Sequence, residues 1–169
     1  MLIAAALSLS LLAQSSAAIG GHGGAHETVR HRQIGPWRLE VRKDRFGAEV
    51  TCRITARDVT LSRETLIFRL AGPERDTTHA VYRIDGGPPH PVSEVFEAVQ
   101  AHGFFPERGW ILNPQGGEAA LPVANVTGAK RVALRVTERK TPRVYNVSRL
   151  AEALRQYDAA RCVETPSQR

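Results

Sequence analysis

The stretch "RVALRVTERKTPRVYNVSRLAEALRQYDAARC", residues 131–162, decides the fold, because it carries the signals of a hairpin and then of a helix. Its first residues alternate, with Val132, Leu134 and Val136 on one side, which is typical of a half-buried strand. "RKTP" then predicts a turn, and "RVYNV" predicts the returning strand. The helix that follows has an apolar stripe made of Val147, Leu150, Ala151, Leu154 and Tyr157. We expect this stripe to pack over a β-sheet.

Alternating segments upstream predict further strands. They are "WRLEVRK" (37–43), "AEVTCRIT" (48–55), "TLIFRL" (65–70) and "HAVYRI" (79–84). The segment "SEVFEAVQAHG" predicts a short helix that Ser93 caps and Gly103 ends. The chain is therefore predicted to be mostly β, a β-sandwich or partly open barrel of about six to eight short antiparallel strands, with a short internal helix and a C-terminal helix.

The N-terminal residues predict export. Residues 1–18 combine an apolar run with small residues after it, which is the pattern of a signal peptide. The run is shorter than the roughly 20 apolar residues that cross a bilayer, and the alternative is a buried N-terminal helix. Residues 19–35 are rich in Gly and His and predict a flexible leader. The remaining boundaries are a single β-rich domain at 36–162 and a disordered tail at 163–169.

The cysteine count supports the same compartment. Cys52 and Cys162 are the two cysteines, and they lie far apart in the chain. An even count in an exported chain predicts a disulfide, whereas this spacing excludes a CxxC redox pair and a metal-ligand cluster. A bond across a loop of this length would stabilise the fold by about 4–5 kcal/mol. The alternative is two separate buried thiols. With the apolar segment, the pair predicts a periplasmic or secreted protein.

Basic side chains dominate the charge balance. The chain has 23 Lys and Arg against 17 Asp and Glu, a net charge of +6. Several arginines occupy the outward positions of the predicted strands, and they are Arg38, Arg42, Arg53, Arg69, Arg83, Arg131 and Arg135. If several share one sheet, they form a guanidinium face suited to phosphate or carboxylate. The alternative is that exposed strand positions are simply polar.

Five of these arginines are the candidate anion-binding residues, and they are Arg38, Arg42, Arg53, Arg131 and Arg135. In an exported protein the expected partner is an anionic envelope component, such as lipopolysaccharide, an acidic glycan or lipid head groups, or another envelope protein. Nucleic acid is not expected, and neither is a transmembrane segment.

The histidines offer two weaker hypotheses. His22, His26 and His31 fall in one short segment and are weak candidates for a metal site, because imidazole binds zinc, copper and nickel. Their spacing lacks the fixed scaffold of a structural site, so a solvated leader is the preferred interpretation. No cofactor is expected.

The second hypothesis is a small periplasmic hydrolase in which His90 or His102 works with Asp85 or Glu97. The chain has no GxSxG, HExxH or phosphate-binding glycine motif. We therefore assign no catalytic residue and expect a non-enzymatic envelope protein of structural or interaction type.

A family resemblance rests on four pieces of the chain: Leu121-Pro122, the strand from Val132 to Val136, its partner from Val144 to Val147, and "SRLAEAL" at 148–154. Together they are similar to the C-terminal part of the invasion-associated locus B family of exported alphaproteobacterial proteins. The resemblance implies a β-sandwich and an envelope location, and it brings no catalytic residues.

Overall fold

The computed structural model describes residues 27–44, 50–62, 64–73, 75–101, 112–137 and 141–162. These residues form ten strands: β1 Glu27–Ile34, β2 Trp37–Asp44, β3 Val50–Ala56, β4 Val59–Ser62, β5 Thr65–Arg69, β6 Val81–Ile84, β7 His90–Pro91, β8 Glu118–Pro122, β9 Arg131–Arg135 and β10 Arg143–Asn146. A 3-10 helix at Val92–Val95 runs into α1, Phe96–Ala101; α2 is Val123–Val126 and α3 is Leu150–Ala159.

The strands form two antiparallel sheets. The large sheet has the order β1-β2-β3-β4-β5-β8, and the small sheet has the order β10-β9-β6-β7. The mostly-β prediction is confirmed, and the two sheets are consistent with its sandwich alternative. The strand number exceeds the predicted six to eight, because the turn at Arg57-Asp58 separates β4 from β3 and a two-residue β7 pairs with β6.

Strand β1 corrects the predicted flexible leader at 19–35. Residues Glu27–Ile34 pair with β2 along their whole length, from Glu27 opposite Asp44 to Ile34 opposite Trp37. The turn between them contains Gly35 at a φ of 58°, a left-handed conformation that glycine adopts without strain. Ile34 is buried beside Trp37 and holds the hairpin on the core. The predicted signal peptide at 1–18, the rest of the leader and the tail at 163–169 lie outside the described residues.

The sheets pack through their apolar inner faces. The Phe68 ring of the large sheet meets the Tyr145 ring of the small sheet edge-on, with centroids 5.1 Å apart. The Tyr145 hydroxyl also donates a hydrogen bond to the Arg69 carbonyl oxygen at 2.9 Å. At the edge of the same interface Arg143 forms an ion pair with Asp58. A buried core results in which each sheet covers the apolar face of the other.

Helix α3 covers the inner face of β2 and β3, as its apolar stripe predicts. Leu150 is buried at the start of the helix. The Trp37 indole nitrogen donates to the Ser148 carbonyl oxygen at 2.9 Å and fixes the segment that leads into α3. Just past the helix, Cys162 reaches Cys52 on β3 at disulfide distance, with Cα atoms 5.4 Å apart. The predicted pairing is thus confirmed by geometry.

Among the helices of the described residues, none combines the length and the apolar composition needed to cross a bilayer.

Candidate functional site

The exposed arginines lie on the two outer faces of the sandwich. Residues paired across antiparallel strands point to the same side of a sheet, and alternate residues along one strand do so too. The large-sheet face is defined by Arg38, Arg42 and Arg53. The small-sheet face is defined by Arg83, Arg131 and Arg135. Because the sheets pack by their inner faces, the two arginine faces point in opposite directions. The five predicted arginines therefore form no single surface.

On the large-sheet face, three arginines surround a carboxylate. Glu40 lies between Arg38 and Arg42 on β2, and its partner in register on β3 is Arg53. The Arg42 Nε atom donates to Glu40 Oε1 at 2.5 Å. On the other side of Glu40, His31 of β1 places its Nδ1 atom 3.7 Å from Glu40 Oε2.

The electrostatics of Glu40 follow from this position. Its side chain is 19% exposed. The hydrogen bond from Arg42 lowers the pKa of Glu40 below its ordinary value of 4.5, and burial opposes that shift. The charges of Arg42, His31 and Arg38 lower this pKa further. Glu40 therefore stays ionised near neutral pH and neutralises part of the positive charge of its face.

On the small-sheet face, three arginines surround an alanine. Ala133 lies between Arg131 and Arg135 on β9, and its partner in register on β6 is Arg83. Diagonal neighbours on adjacent strands lie about 7–8 Å apart, within reach of long side chains. All three arginines are exposed, and within the described parts of the chain none of their guanidinium groups has an ion-pair partner. Their positive charge is therefore directed to solvent.

The other side of Ala133 is apolar. Its partner on β10 is Val144, whose side chain is 57% exposed. A small patch of this face therefore places an exposed aliphatic group next to the arginine cluster.

Asp85 has a structural role at the border of the small-sheet face. Its Oδ1 atom accepts hydrogen bonds from the backbone N–H groups of Lys130 at 2.9 Å and Arg131 at 2.8 Å. These two bonds, that from Lys130 foremost, lower the pKa of Asp85. Since Asp85 follows β6 and Arg131 begins β9, the carboxylate fixes the register that brings Arg83 opposite Ala133.

The structure describes only some of the histidines that the metal-site and hydrolase hypotheses use. His31 lies in β1, while His22, His26 and His102 fall outside the described residues. In the described segments no group of three or more His, Cys, Asp or Glu side chains could hold a metal ion. His90 places Nδ1 at 3.2 Å from Glu94 Oε2, so its carboxylate partner is neither Asp85 nor Glu97. Both members of the pair are about half exposed, which is typical of a surface ion pair.

Arg83 belongs to the small-sheet face but is not one of the five candidate anion-binding arginines predicted from the sequence. It occupies an outward position of "HAVYRI", but no sequence signal places that strand beside β9 in this register. The R-x-A-x-R pattern of "RVALR" shows the other two arginines, and only the sheet supplies the third.

Comparison with known proteins adds no relative, since no family model, no curated protein and no solved structure matches this chain.

Proposed function

We propose that the chain is an exported, non-enzymatic protein of the cell envelope that binds an anionic partner through the small-sheet face. The observation that supports this proposal is the cluster of Arg83, Arg131 and Arg135, whose guanidinium groups form no salt bridge with a described residue, although the Asp85 carboxylate at the border interacts electrostatically with Arg131.

The arrangement favours binding over a chance distribution of polar residues. Like charges on neighbouring strands repel one another and destabilise a sheet. On the large sheet Glu40 relieves this repulsion, whereas the small sheet supplies no acidic side chain at the equivalent position. An anion from outside the chain would relieve it there. Arginine suits this role because its planar guanidinium group matches phosphate and carboxylate oxygens in pairs.

Two observations support the export part of the proposal. Residues 1–18 have the composition of a signal peptide. Cys52 and Cys162 lie at disulfide distance, and disulfides persist mainly in oxidising compartments. The similarity of the C-terminal hairpin and helix to invasion-associated locus B proteins supports an envelope location.

The test compares two triple variants that remove the same charge from opposite faces. R83Q/R131Q/R135Q alters the small-sheet face, and R38Q/R42Q/R53Q alters the large-sheet face. Each is measured by sedimentation with phosphatidylglycerol vesicles and by salt elution from heparin. An arginine near an anionic lipid surface contributes about 1 kcal/mol, so the first variant should lose about 10²-fold in vesicle partitioning. The second should stay close to the unaltered protein.

Equal losses in both variants would mean that net charge alone causes retention and would contradict the proposal. Elution of the unaltered protein from heparin at low salt would contradict it as well.

A further inference from the structure

The two arginine clusters have the same geometry and differ at their centre. Each consists of two arginines that flank a central residue on one strand and a third arginine opposite that residue on the next strand. The sequences of the central strands show the relation directly, "RLEVR" at 38–42 and "RVALR" at 131–135. The central residue is Glu40 in one cluster and Ala133 in the other.

The large-sheet cluster shows what this geometry binds. The Glu40 carboxylate reaches into its own cluster and accepts the hydrogen bond from Arg42. An arginine cluster of this shape therefore accommodates an oxyanion at its centre. In the small-sheet cluster a methyl group replaces that side chain, and it leaves space above β9 for the oxygens of another molecule. Ala133 is half-buried although it faces outward, so the side chains of its neighbours surround it.

We propose that the small-sheet cluster binds the phosphomonoester group of an envelope lipid, seated over Ala133 between Arg83, Arg131 and Arg135. This inference rests on the proposed function and adds the chemical class of the ligand.

Charge favours a phosphomonoester over other anions. A phosphomonoester carries between −1.5 and −2 charges near neutral pH and offers three acceptor oxygens. A carboxylate or a phosphodiester carries a single charge. Three guanidinium groups keep a net positive charge even with the Asp85 carboxylate at their border, and they match the more highly charged group, with which arginine forms short charge-assisted hydrogen bonds.

The neighbouring surface favours a lipid as the carrier of that group. Val144 lies opposite Ala133, on the side away from Arg83, and exposes 57% of its side chain. An exposed aliphatic side chain next to a phosphate-binding site favours an amphiphilic ligand over a small water-soluble phosphate.

The experiment compares vesicles that contain phosphatidic acid, a phosphomonoester, with vesicles that contain phosphatidylglycerol, a phosphodiester, matched in zeta potential. We expect the protein to prefer phosphatidic acid about tenfold. Ala133→Glu should abolish this preference, because it supplies an internal carboxylate as Glu40 does on the other face.

Thr55→Glu is the matched charge control, because it adds the same charge to the large-sheet face. It should leave the preference intact. Circular dichroism of each variant shows whether the fold persists.

Equal binding to both vesicle types would overturn the phosphomonoester assignment while leaving the proposed function in place. Full competition by inorganic phosphate at millimolar concentration would overturn the lipid as carrier. Absence of binding to either vesicle type would overturn the proposed function itself.

Discussion

The outer faces of the two sheets carry matching arginine clusters, but a carboxylate lies at the centre of only one. Glu40 and Ala133 hold equivalent positions on the central strands of their faces. The Glu40 carboxylate forms an ion pair with Arg42 and neutralises part of the positive charge of its cluster. The same outward pattern of arginines therefore has different consequences on the two sheets. The residue at the centre decides whether such a cluster contains a carboxylate of its own.

The largest expected effect concerns the disulfide, which ties the end of α3 to β3 of the large sheet. Cys52→Ser with Cys162→Ser should lower the free energy of unfolding by about 4–5 kcal/mol, because the unfolded chain gains the entropy of an open loop. Urea denaturation measures the loss. Hydrogen exchange should accelerate first in β3 and α3. A loss far below about 4 kcal/mol would contradict the loop-entropy origin of this stabilisation.

Removal of the Glu40 carboxylate tests whether this residue causes the difference between the two faces. In a protein that already carries R83Q/R131Q/R135Q, Glu40→Ala should create on the large-sheet face the open cluster that the small-sheet face has lost. We expect vesicle partitioning to recover about tenfold. Glu97→Ala removes an equal charge elsewhere and is the control. Equal recovery in both variants would show that the location of the charge has no importance.

The hydrogen bond from Tyr145 to Arg69, which joins the two sheets, should contribute less to stability than the disulfide does. Tyr145→Phe removes the hydrogen bond to the Arg69 carbonyl oxygen but keeps the ring against Phe68. The free energy of unfolding should fall by about 1 kcal/mol, as measured by urea denaturation, with vesicle binding unchanged. A change in binding without a change in stability would contradict a purely structural role.

The smallest expected effect is the pH dependence of stability that Glu40 contributes on the large-sheet face. The pKa of Glu40 lies below 4.5 in the folded protein, so its contribution to stability is present above pH 4.5. That contribution is lost as the pH falls through the lowered pKa, because the unfolded state then binds the proton more readily.

Thermal midpoints of the unaltered protein and Glu40→Gln measure this effect. The midpoint of the unaltered protein should be the higher near neutral pH, and the two should converge below pH 4.5. A constant difference across the acid range would rule out titration of Glu40 as its source.

Much of the fold follows from patterns in the sequence. The alternation of Val132, Leu134 and Val136 predicts β9 and its inner face, and the helical stripe predicts where α3 packs. The cysteine pair follows from the even number of cysteines and the predicted compartment, without any knowledge of topology. These features are predictable because each depends on the residues of one segment or on a chain-wide count.

Strand β1 could not be predicted in this way because charged residues lie on both of its faces. Its inner side carries Arg32, whose guanidinium group hydrogen-bonds Gln156 of α3 instead of lying in solvent. The apolar alternation that marks the other strands is therefore missing. Strand β8, "EAALP", could not be predicted for a different reason. It is buried on both faces, so its sequence is an apolar run instead of an alternating pattern.

The candidate site was predictable only in part. Outward arginines follow from alternation, but their grouping depends on which strands become neighbours. Arg83 joins Arg131 and Arg135 through the pairing of β6 with β9, two strands far apart in the chain. The Asp85 side chain that fixes this pairing acts through backbone N–H groups, which no side-chain motif reveals.

The bond between Cys52 and Cys162 also determines what a protease can achieve. Strands β4 to β10 and helix α3 lie between the two cysteines in the chain, so one cut anywhere in that span leaves both fragments covalently joined. A molecule nicked once should run as a single band on a non-reducing gel and separate only after reduction. A protein cut once in this way keeps both arginine faces on one particle.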